Sequence, residues 1–157
     1  MKRSLIAGLL LLAATAAPAQ NAAPVTVKDA WVRATVPAQK ATGAFMQLTS
    51  PEGTRLVEAR SSAAGKAEIH EMTMVDNVMK MREVPGVDLP PGKTVALESG
   101  GYHVMLLELK KQVHAGDSVP LTLVFEGKDK KRQSVEIKAL ARPLNTPAKG
   151  GEMKMSH

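Results

Sequence analysis

The chain has 157 residues, a formal net charge of +6, no cysteine and only four aromatic residues, Trp31, Phe45, Tyr102 and Phe125. So few rings leave no base-stacking surface, and basic residues scattered along the chain make no phosphate-tracking stripe, so nucleic acid is not an expected partner. The missing thiols exclude disulfide bracing and every metal or catalytic site that needs a thiolate.

The first element is "MKRSLIAGLLLLAATAAPAQ": Lys2 and Arg3, a short apolar run, then Ala17-Pro18-Ala19. This is the pattern of a secretory signal peptide over residues 1–19, cleaved before Gln20. The run is short for a membrane span and no later segment comes close, so the expected product is exported and not an integral membrane protein. Without Lys2 and Arg3 the formal charge falls from +6 to +4.

From there the pattern is apolar/polar alternation over short runs broken by Gly, Pro and Asp, which predicts strands. They fall near 25–36, 42–49, 55–61, 67–74, 78–84, 94–98, 102–110, 119–126 and 133–141, with no helix and no internal repeat. Many short strands at this spacing predict a single all-β sandwich or barrel domain over residues 20–142. The run Lys128-Asp129-Lys130-Lys131-Arg132 reads as a solvated turn between the last two strands. Residues 143–157, with Pro143, Pro147 and Gly150-Gly151, read as a flexible tail.

One stretch asks for more than packing. "HEMTMVDNVMKM", residues 70–81, holds four of the nine methionines behind a histidine. As a hairpin turning at Asp76-Asn77 it pairs Met74 with Met79 and Met72 with Met81. His70, Met72, Met74, Met79 and Met81 then share one face, and His70 is diagonal to Met81. Further on, in "GGYHVMLLEL", His103 and Met105 also share a face, which Leu107 and Leu109 continue toward the core. Methionine is an ordinary gap-filler, so the bland reading is hydrophobic packing. Thioether and imidazole donors in two such clusters instead select Cu(I): Ca²⁺ and Mg²⁺ take oxygen ligands, and Zn²⁺ takes Cys, His or carboxylate.

His70, Met81, His103 and Met105 stand in the pattern H-x10-M-x21-H-x-M, which resembles the signature of the PCuAC family of periplasmic copper chaperones. "DAWVRATVP", "HEMTMVDNVMKMREV", "LPPGKTVALESGGYHVMLLEL" and "GDSVPLTLVFE" resemble the family too, and the likeness covers residues 25–140. The resemblance implies a cupredoxin-like Greek-key β-sandwich, with His70, Met81, His103 and Met105 as ligands to one Cu(I). It also implies a periplasmic, non-enzymatic role in supplying copper for cytochrome c oxidase assembly. The copper-accepting partners it implies are cytochrome c oxidase subunit II or Sco-type proteins.

Other candidates weigh less. Met72, Met74 and Met79 read as an apolar rim, Glu71 as pointing away from His70, His114 as a surface residue, and Trp31 as a core anchor. Met153, Met155 and His157 in the tail repeat soft donor types at two-residue spacing. They are candidates for a secondary metal site open to Cu(II), against the reading of an unconstrained end. A blue-copper electron carrier is excluded because it needs a Cys thiolate. A copper-sequestering buffer for copper tolerance is the alternative to a chaperone.

Overall fold

The computed structural model describes residues 24–147. The expected signal peptide and the tail residues Met153, Met155 and His157 lie outside the described residues. Ten strands and no helix occupy the described chain: β1 (Thr26–Arg33), β2 (Ala41–Thr49), β3 (Thr54–Arg60), β4 (Ala64–Val75), β5 (Val78–Glu83), β6 (Val87–Leu89), β7 (Thr94–Leu97), β8 (Tyr102–Leu109), β9 (Ser118–Glu126) and β10 (Arg132–Arg142). Nine of these answer to the predicted strands. β6 is the addition: three residues between Pro85-Gly86 and Pro90, too short to carry an alternation signal.

The strands form one hydrogen-bonded path, β5-β4-β8-β2-β1-β10-β9-β3-β6, with β7 pairing on β2. All pairings are antiparallel except β1 with β10, whose Trp31, Val32 and Arg33 run parallel to Leu140, Ala141 and Arg142. The sheet folds on itself about that junction, so its two halves share one core. Val32, Ala44, Met46, Leu48, Ile69, Val104 and Leu106 come from one half, and Leu56, Leu121, Leu123, Phe125 and Ala139 from the other. Burying such a row contributes roughly 1.5–3 kcal/mol per large apolar side chain.

Strict alternation then decides what the other face carries. Ile69 and Val104 are cross-strand partners pointing inward, so His70 and His103, also partners, point outward. The expectation that Leu107 and Leu109 continue the His103 face into the core needs correction. The inward row of β8 is Val104 and Leu106, both fully buried, while Leu107 is half-buried on the outer face. Leu109 does reach the core, because Glu108 takes a left-handed backbone (φ 54°) that breaks the alternation just before it.

Trp31 is a buried anchor, as expected, but it packs outside the main core cluster, on the outer face. There its ring stacks 4.7 Å from Phe45 and is covered by the guanidinium groups of Arg33 and Arg142, 5.7 and 5.1 Å from its centroid. Residues 143–147 are tied back rather than loose: Thr146 N–H donates to Pro143 O, and Arg33 Nη1 donates to Leu144 O. The Lys128–Arg132 run is the β9–β10 turn, as expected.

Candidate metal centre

The β4–β5 hairpin has the predicted register: Met74 pairs with Met79 and Met72 with Met81. Asp76 and Asn77 form its turn with φ of 51° and 60°, the paired left-handed geometry of a two-residue turn that Asp and Asn tolerate. The hairpin runs past the start of β8, where Met72 N–H donates to Gly101 O. Met74 and Met79 are exposed and Met72 is half-buried, so these three rim the hairpin.

Two strand pairings then assemble the donor set. β4 and β8 run antiparallel with His70 directly opposite His103 and Glu68 directly opposite Met105. The two imidazole rings meet edge to face, centroids 5.8 Å apart. Met81 reaches across from β5, and its Sδ lies 3.2 Å from His103 Nε2. His103 Nδ1–H donates to Gly101 O at 3.3 Å, which leaves the Nε2 lone pair facing that sulfur. Burial pushes the His103 imidazole below its ordinary 6.5, partly offset by the Gly101 hydrogen bond, so the ring is neutral and able to donate its lone pair at neutral pH. On the other side Phe45 walls the site, its ring 6.2 Å from His103.

Solvent contact is uneven. His70 and His103 are 8% and 5% exposed, whereas Met81 is 49% exposed. Met105 is half-buried next to Gly43, its partner on β2. The thioether of Met81 is therefore the donor that faces water.

Glu68 was not legible as a site residue. Its carboxylate accepts the His70 Nε2–H at 2.6 Å and also contacts Lys66 Nζ. Lys66 first, then His70, hold the Glu68 carboxyl below the usual carboxylate range. A soft-donor search passes over an acidic residue, although its two-residue spacing from His70 places it on the same face. Glu71, by contrast, pairs with Arg82 at 2.7 Å on the opposite face, as expected, and His114 is exposed in its loop near Asp117.

The chemistry of the set is narrow. Among the described residues no group of three or more His, Asp or Glu side chains converges to hold a metal. The side chains that meet here are the His70 and His103 imidazoles and the Met81 thioether, with Met105 two residues from His103 on the same strand. Such nitrogen and thioether donors are of soft-metal type. One donor atom also stands free: His70 Nδ1 is buried and has no hydrogen-bond partner.

The fold defines the class first: it is a cupredoxin-like PCuAC domain. The apo PCuAC domain from PmoF1 superposes with a TM-score of 0.63 at 26% identity, covering 78% of this chain and 97% of that one. The solution structure of CuI-DR1885 from Deinococcus radiodurans gives 0.59 at 29% identity, over 83% of this chain and 85% of its own. The copper-bound PCuAC domain from PmoF2 shares the fold with a TM-score of 0.62 at 22% identity, covering 78% of this chain and 96% of that one. In sequence, a match to the LpqE-like lipoprotein family spans residues 25–138. A protein of Leifsonia xyli subsp. xyli (strain CTCB07) named as a lipoprotein, Lxx21020, is 32% identical over 129 residues, 82% of this chain and 78% of its own length. This chain belongs to the LpqE-like lipoprotein family, which is the PCuAC-like family.

Proposed function

We propose that the protein is a periplasmic, non-enzymatic Cu(I) metallochaperone that holds one ion between His70, Met81, His103 and Met105. It passes that ion to a copper-accepting protein in cytochrome c oxidase assembly, such as subunit II or a Sco-type protein. The proposed organisation is a signal peptide over 1–19, the copper domain over 20–142 and a tail over 143–157. The observation that carries the reading is the approach of His103 Nε2 to Met81 Sδ, 3.2 Å, beside the cross-strand partner His70. Two relatives are described as copper-bound and CuI forms, which supports the same cargo here. Soft, uncharged thioethers favour Cu(I), and a neutral buried imidazole adds a donor without adding charge.

The uneven exposure favours transfer over storage. The histidines anchor the ion from below while Met81, half in water, is the ligand an acceptor can displace first. Ligand-by-ligand exchange needs such an accessible donor.

The test is a Cu(I) titration against a competing chromophoric chelator, for the wild type and for Met81→Leu. Leucine keeps the apolar volume at an exposed position, so stability should change by no more than about 0.5 kcal/mol. Cu(I) affinity should fall about tenfold or more, the equivalent of at least roughly 1.4 kcal/mol. Equal affinity for the two proteins would remove Met81 from the ligand set. X-ray absorption should give mixed nitrogen and sulfur scattering. Presenting the loaded protein to a copper-free acceptor separates a chaperone, which transfers, from a sequestering buffer, which retains.

A further inference from the structure

We infer that Glu68 is a positioning residue for this centre: by accepting the His70 Nε2–H it fixes the imidazole tautomer and orientation, and it leaves Nδ1 as the atom that binds copper. The inference rests on the Cu(I) reading above and adds the residue that prepares one of the ligands.

Three observations converge on it. First, the hydrogen bond is short, 2.6 Å between Nε2 and Oε2, and both side chains are only 10% exposed. Such a bond between a carboxylate and a ring N–H is charge-assisted and stronger than a neutral pair. Second, it uses up one ring nitrogen, and the other is buried with no partner. Leaving a buried polar atom unsatisfied is costly, so this orphan lone pair, on a ring whose centroid is 5.8 Å from the His103 imidazole, marks a place kept for a ligand. Third, Glu68 is held from behind. Lys66 engages its other oxygen, so the carboxylate is held between the Lys66 ammonium and the His70 ring, on a residue whose cross-strand register partner is Met105.

Glu68 is poorly suited to be a ligand itself, since carboxylate oxygen is a hard donor and Cu(I) is soft. Its place is the one that carboxylates commonly take behind a metal-bound histidine, where they fix the tautomer and raise the basicity of the ligating nitrogen. Removing such a partner costs about 10–100-fold in metal affinity in general.

The experiment compares the wild type with Glu68→Ala and Glu68→Gln. Long-range proton–nitrogen correlation spectra of the metal-free proteins read the His70 tautomer directly, with no copper present. The wild type should show the Nε2–H form, and Glu68→Ala a mixture. Cu(I) competition should give Glu68→Ala an affinity about 10–100-fold weaker than wild type. Glu68→Gln should restore most of it, because the amide oxygen still accepts the Nε2–H. An Nδ1–H tautomer in the wild type overturns the inference, and so does unchanged affinity in Glu68→Ala; either leaves Cu(I) binding by the wild type intact. Failure of the wild type to bind Cu(I) overturns the functional reading itself, whatever the tautomer.

Discussion

Gly43→Ala tests whether the wall beside the metal centre is as tightly packed as its geometry indicates. Gly43 sits on β2 opposite Met105, and the Phe45 ring lies over it. A Cβ at position 43 would fall 2.8 Å from Phe45 Cζ, closer than such atoms come, and 3.2 Å from Cε2, a tight contact. The ring cannot retreat easily, because Trp31 stacks on it at 4.7 Å and Arg33 lies over it at 5.8 Å. The remaining direction is toward His103. Overpacking of this kind costs about 1–3 kcal/mol. The 124 described residues give an unfolding entropy of roughly 0.26 kcal/mol/K at ~2.1 cal/mol/K per residue, so Tm should fall by about 4–12 °C. Calorimetry of the metal-free protein reads this, and the Cu(I) titration should show a weaker site as the ring presses on His103. A Tm within about 1 °C of wild type would refute the reasoning, since it means the ring moves freely and does not set the wall.

Three further outcomes are expected. Asn77→Gly should stabilise the hairpin by a few tenths of a kcal/mol to about 1 kcal/mol, because glycine adopts the left-handed φ of 60° without strain; chemical denaturation should show the gain, while Asn77→Val should show a loss. Acid should destabilise the metal-free protein through His103. Its folded value lies below 6.5, so the unfolded state binds more protons and stability, flat above that value, is lost as pH falls through the folded value. Tm measured from pH 8 to pH 4 should show this descent, and His103→Gln should abolish it. The depressed Glu68 carboxyl adds a second descent of the same sign below 4.5. Deleting residues 150–157 should leave the first Cu(I) equivalent untouched and remove only binding beyond it; loss of the first equivalent would make Met153, Met155 and His157 part of the primary centre.

The sequence by itself determined what depends on short range. Period-two alternation located nine of the ten strands, and Asp76-Asn77 set the hairpin register, because a two-residue turn leaves only one way to pair its flanks. The donor types and the absence of thiols narrowed the ion to a soft one. The tertiary structure decided the rest. His70 and His103 lie 33 positions apart, and only the β4–β8 register puts them in direct opposition, with Glu68 beside Met105. The parallel β1–β10 junction folds the sheet so that Val104 and Leu106, not Leu107, turn inward, and it leaves Trp31 on the outer face. Alternation states that two faces exist, but the burial that makes one of them the core comes from strands distant in the chain, and that is why the core side and the Glu68–His70 pair emerge only in the folded protein.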